Sequence, residues 1–118
     1  MNSLFLNCPV TDSSQLARSS LTILDVYYED ASTLANGYIT ANRCVEYGSV
    51  AGGICGDTVM TTGAGTGVGV LHVPNTPAAF ATQWNGGGFG YVLVGLPPQN
   101  GSGTTGISRL KGVYEQEP

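Results

Sequence analysis

The chain has 118 residues, of which 42% are hydrophobic and only 10% charged, and its net charge is −4. That length supports one domain with a modest core. The low charge excludes a chain disordered by self-repulsion. Four basic residues scattered at Arg18, Arg43, Arg109 and Lys111 provide no cluster for releasing counterions from a polyanion, so no nucleic-acid partner is expected.

The N-terminal stretch MNSLFLNCPVTDSSQLARSS, residues 1–20, is polar and without a sustained period, and reads as an arm. Its one apolar cluster, Leu4, Phe5 and Leu6, has no partner nearby in sequence, which marks these three residues as candidate assembly contacts. A short helical turn around Ser13–Arg18 would be marginal in isolation. The segment lacks the basic start and long apolar stretch of a secretory signal, so synthesis and function without export are expected. No apolar run approaches the roughly 20 residues that a membrane-spanning helix needs, and no membrane partner is expected.

Residues 21–118 read as a single β domain. LTILDVYYED supplies β-favouring side chains before Glu29 and Asp30, which are read as solvated. YITANRCVEYG is the second strand, with Arg43, Val45 and Tyr47 on one face. Short strands follow around 53–55, 58–61, 68–73, 90–96 and 106–113, separated by segments dense in Gly, Pro, Ser, Thr and Asn. With 18 glycines, 6 prolines and no long helical period, the pattern predicts an all-β fold, a Gly-rich sandwich or small barrel behind an extended N-terminal arm. NTPAAFATQW competes as a helix, and at most one short turn is expected there.

Few residues are placed for chemistry. The alternating glycines Gly63, Gly65, Gly67 and Gly69 invite comparison with a phosphate loop, but no Lys-Ser/Thr pair follows and VGVLHVP reads as a strand. The stretch is expected to be a mobile turn that binds no nucleotide and feeds a core strand at Val68–Val73. His72 is the single histidine, and neither a nucleophile elbow nor a zinc-ligand spacing accompanies it. No catalytic residue, cofactor or metal is expected, and the chain reads as a non-enzyme. Cys8, Cys44 and Cys55 are odd in number and read as three reduced thiols, with a Cys44–Cys55 pair across a hairpin as the alternative. Phe80, Trp84 and Phe89 crowd a Gly-rich stretch and are candidate assembly contacts or, alternatively, a sugar-stacking platform.

The order of these signals carries a resemblance. Ile39, Thr40, Ala41, Asn42, Arg43 and Val45, then Gly69, Val70 and Leu71, then Tyr91, Val92, Leu93, Val94 and Gly95 fall in a sequence similar to that of the head-decoration, or cement, proteins of tailed bacteriophages. The chain departs from that pattern at Gly63–Gly69, at NTPAAFATQWN and at PPQNGSGTTG. The resemblance implies a structural virion protein that binds an assembled lattice of major capsid protein and stabilises it. It further implies a homo-oligomer, commonly a trimer, placed on the capsid exterior after synthesis in the host cytoplasm. A subunit of a phage tail or extracellular fibre, and a carbohydrate-binding β module, are the alternatives.

Overall fold

The computed structural model describes residues 4–10, 18–21, 23–31, 38–46, 54–61, 66–86, 88–97 and 108–116. They form eight strands and one short helix: β1 (Leu4–Pro9), β2 (Ile23–Asp30), β3 (Thr40–Glu46), β4 (Ile54–Cys55), β5 (Val59–Met60), β6 (Gly67–His72), α1 (Ala78–Trp84), β7 (Phe89–Leu96) and β8 (Arg109–Gln116). A 3-10 turn at Arg18–Ser20 precedes β2.

The strands make two antiparallel sheets, a small all-β sandwich, which is one of the two all-β forms that the sequence leaves open. One sheet has the order β1-β7-β3-β4, with β5 also paired to β3, and the other has the order β6-β2-β8. Alternation explains how the sheets face each other. Leu24 and Val26 of β2, Ala41 and Val45 of β3, and Val92 and Val94 of β7 are fully or almost fully buried at every second position, so one face of each strand builds the shared core. Each of the Val and Leu side chains among them contributes about 1.5–3 kcal/mol of burial free energy.

Several expectations are corrected here. The described part of the 1–20 arm is built into the fold. Residues 4–9 pair in continuous register with β7, from Leu4 opposite Leu96 to Pro9 opposite Tyr91. Val10 and Arg18 are buried, and Leu6 and Cys8 pack against the core. Every second residue of this segment is apolar, so once β7 offers its edge the segment pairs as a strand with a core-facing side. The turn expected at Ser13–Arg18 lies, except for Arg18, outside the described residues, as do Gly63 and Gly65.

Gly67 and Gly69 of the expected turn lie inside β6, which is an edge strand of its sheet. Gly67 has φ +135°, a conformation that requires glycine. Val68 stands exposed, and only Leu71 and, just beyond the strand, Val73 reach the core. Asp30 is buried and not solvated. It accepts hydrogen bonds from Thr61 Oγ1 at 3.3 Å and Ser108 Oγ at 3.2 Å, while Ser108 Oγ accepts from the Ala31 amide at 3.0 Å. Thr61 follows β5 of one sheet and Asp30 ends β2 of the other, so this network ties the two sheets together.

The cysteines are corrected as well. Cys44 and Cys55 stand directly opposite each other in the β3–β4 ladder, with Cα atoms 4.1 Å apart, and form a disulfide. Cys8 is the free thiol among the described residues. A strand of two residues makes too few ladder bonds to hold itself. Closing an 11-residue separation constrains the unfolded chain by about 3 kcal/mol on a loop-entropy account.

The β6 register yields a stability test. Leu71 lies inward opposite Val26, whereas Val70 lies opposite Tyr27 on the outer face and is half-buried. Leu71→Ala is expected to lower the unfolding free energy by about 2–4 kcal/mol, and Val70→Ala by under about 1 kcal/mol. Equal losses in urea titrations would contradict this register.

Candidate functional site

The six residues expected to make assembly contacts divide into three groups. Leu4, Phe5 and Phe89 are exposed, Phe5 at 62% and Phe89 at 76%. Leu6 is turned partly inward. Phe80 and Trp84 are core residues, at 4% and 0% exposure, which excludes both a surface contact and a sugar platform for them. The cause is α1, which runs for seven residues where one short turn is expected. On a helix, positions 80 and 84 stack on one face, and here that face lies against the sandwich. The two rings sit 6.2 Å apart at a tilt of 38°.

What holds so short a helix is Arg18. Its Nε donates to the Trp84 carbonyl at 2.9 Å, its Nη1 to Gly88 O at 2.8 Å and its Nη2 to Gly86 O at 2.8 Å. In return the Trp84 indole Nε1 donates to the Arg18 carbonyl at 3.1 Å. A cation at the C-terminus of a helix meets both the orphan carbonyls and the negative end of the dipole. Gly90 makes the space, since a Cβ there would collide with Arg18 Cδ and stand 3.2 Å from Trp84 Cζ3.

A second guanidinium reaches the same ring. Arg43 Cζ lies 5.0 Å from the Trp84 centroid and Arg18 Cζ 5.4 Å. Arg43 comes from β3, and its Nε donates to the Val73 carbonyl, just past β6, at 3.1 Å. It therefore bridges the two sheets. Burial lowers its pKa to about 10, so it remains a cation at neutral pH. The scattered basic residues read from the sequence thus include two buried arginines. A lone Arg between apolar strand neighbours is the signal that marks one of them.

The outer face of the five-stranded sheet carries Phe5, Met60 and Phe89 among the exposed apolar residues, while Ile23, Tyr27, Val68 and Tyr114 stand on the outer face of the other sheet. Phe5 pairs with Gly95, Gly95 with Thr40 and Thr40 with Met60, so these four make one row across the sheet. Leu93, Tyr91 and Phe89 continue the same face along β7 at period two. Phe5, Met60 and Phe89 are exposed, while Tyr91 and Leu93 are half-buried. From Gly95 to Phe89 the stripe extends about 20 Å at the usual rise per residue. Burial and, secondarily, Glu46 raise the Tyr91 pKa, so its hydroxyl stays neutral on this face.

His72 sits on the outer side of β6 directly opposite Asp25, and its Nδ1 lies 2.8 Å from Asp25 Oδ1. Cys55 is bonded to Cys44 and provides no thiolate. Asp57 instead accepts from Thr76 Oγ1 at 2.7 Å. Among the described residues, no three His, Cys, Asp or Glu side chains gather as metal ligands.

Arg18 and Trp84 generate a second test. Arg18→Met keeps the stem and leaves the α1 carbonyls unserved, and a loss of about 3 kcal/mol in unfolding free energy is expected. Arg109→Met, at an exposed position, is expected to stay within about 0.5 kcal/mol. No family model, no curated protein and no solved structure matches this chain.

Proposed function

We propose that this protein is a non-enzymatic assembly subunit that docks on a protein lattice, in the manner of the head-decoration proteins of tailed bacteriophages. The observation that carries the reading is the apolar stripe on the outer face of the five-stranded sheet, where Phe5, Met60 and Phe89 stand more than half exposed, with Asn7, Asn42 and Glu46 beside it. Such a face is costly to hold in water and becomes stabilising once a partner covers it. β1 borders it as the last strand in the sheet order, and an edge strand offers backbone N–H and C=O groups to an added strand. The scarcity of charge favours the same reading, since few ionised side chains need desolvation on contact.

The disulfide fits a protein that works on the outside of a released particle, in an oxidising medium. The partner implied is the major capsid protein, and self-association around the same face gives the homo-oligomer, a trimer in the related pattern. The carbohydrate-module alternative loses its platform because Trp84 is buried.

The test adds purified protein to phage heads that lack their decoration protein and measures sedimentation with the heads and the temperature at which they rupture. Binding and a raised rupture temperature are expected, and the double variant Phe5→Ser, Phe89→Ser is expected to lower affinity at least tenfold while its thermal unfolding stays near that of the parent. Heads that neither retain nor are stabilised by the parent protein would refute the capsid reading.

A further inference from the structure

A cleft of about 470 Å³ opens at the end of the sandwich where β2 begins and β6 ends. Its walls are unlike the apolar face described above. Leu21, Ile23, Val73 and Pro74 give it an apolar side, while Arg43, Asn75, Asp25 and His72 supply the polar groups. Two of these polar groups are unsatisfied. Arg43 is only 2% exposed, and its Nη1 is buried with no hydrogen-bond partner among the described residues. Asn75 Oδ1 is likewise buried and unpartnered.

Such groups are costly. A buried polar atom without a partner costs about 1–3 kcal/mol, and more where it carries charge. A buried cation is ordinarily paired with a carboxylate. Among the described residues no carboxylate lies within ion-pair distance of Arg43, and the nearest candidate in the cleft, Asp25, is engaged by His72 Nδ1 at 2.8 Å. The guanidinium uses Nε on the Val73 carbonyl, and its Nη1 has no hydrogen-bond partner among the described residues.

We propose that this cleft binds a carboxylate, with Arg43 as the cation that receives it and Asn75 as the second donor. A carboxylate oxygen accepts from Arg43 Nη1, where planar guanidinium and carboxylate match in geometry. Turning the Asn75 amide about its last torsion exchanges Oδ1 for Nδ2, so that the buried side chain donates to the other oxygen. The Asp25–His72 couple sets the local charge. Asp25 is the competing negative charge at this cleft, and its Oδ1 is taken up by His72 Nδ1 at 2.8 Å. The apolar wall suits a short aliphatic stem. The carboxylate belongs either to a small organic acid or to an acidic side chain of a polypeptide, and the chemistry of recognition is shared.

The test titrates ¹⁵N-labelled full-length protein with propionate and follows the backbone signals of His72 and Val73 and the side-chain amide of Asn75. Propionamide serves as the neutral isostere, and sodium chloride at equal ionic strength as the control. Saturable shifts with propionate, on the order of millimolar for so few atoms, and none with propionamide or chloride are expected. Asn75→Leu is expected to weaken binding at least fivefold, and Asp25→Asn, which removes the competing negative charge, to strengthen it. Both leave the Arg43 contact with Trp84 in place, and a matched dispersion of amide signals verifies their fold. A parallel titration with the peptide acetyl-Ala-Glu-Ala-amide separates the sources. Tighter binding than propionate identifies an acidic side chain, and weaker binding identifies a small acid. Equal shifts from propionamide or chloride, or affinity unchanged in Asn75→Leu, would overturn the proposal.

Discussion

The structure depends on the burial of one indole between two guanidinium groups. Trp84 is wholly enclosed, with Arg18 and Arg43 both within about 5.5 Å of its ring centre. Neither arginine is a substitute for the other. Arg18 spends its donors on the carbonyls at the end of α1, while Arg43 spends Nε on the chain leaving β6. One side chain thereby joins a short helix, the N-terminal segment and both sheets. The cation–π term in a desolvated setting is on the order of 2 kcal/mol, modest beside the hydrophobic burial of the ring itself. Its greater consequence is geometric, because the reciprocal hydrogen bonds between Arg18 and Trp84 fix where the helix stops.

The two sheets are joined by polar groups at both ends of β2. Near its start, Arg43 reaches from β3 to the Val73 carbonyl. At its finish, buried Asp30 gathers Thr61 and Ser108. Between these ends the contact is apolar and rests on Leu24, Val26 and Leu71 against Ala41, Val92 and Val94. Apolar contact alone is non-directional and would tolerate sliding of one sheet over the other. Directional bonds at both ends remove that freedom, a physical reason for a small protein to bury charged side chains despite the desolvation cost.

Much of the fold was legible in the sequence, because local chemistry decides it. The segments rich in Val, Ile, Tyr and Leu, punctuated by Gly and Pro, place seven strands at or within a few residues of where they form, and the all-β class follows from them. What was not legible depends on partners remote along the chain. Arg18 and Trp84 are 66 residues apart, so nothing near Trp84 signals that its helix will be capped or its ring enclosed. The apolar side of LFLNCP is ambiguous until β7 offers an edge. The Cys44–Cys55 disulfide needs the β3–β4 register to select it over three thiols. Of the candidate contact residues, Leu4, Phe5 and Phe89 lie at the surface because strand ends and an outer face leave them there. Phe80 fails because its helix has a buried side.

These corrections sharpen the division of labour on the molecule. With Phe80 and Trp84 removed from the surface, the exposed aromatics of the five-stranded sheet reduce to Phe5 and Phe89 at the ends of one stripe, joined by half-buried Leu93 and Tyr91. This face has its backing in the core, since the same strands turn Val92, Val94 and Ala41 inward, and its rigidity follows from that packing. A face held flat in this way loses little conformational entropy when a partner covers it, which is the condition for a modest apolar area to bind usefully. The cleft beside Arg43 works on a different principle. Arg43 is held there by its bond to the Val73 carbonyl whether or not anything occupies the cleft, so the cost of burying it is borne in folding. Both surfaces therefore rest on the same interior: the packing that buries Trp84 positions Arg43, and the alternation that builds the core leaves Phe5 and Phe89 outside.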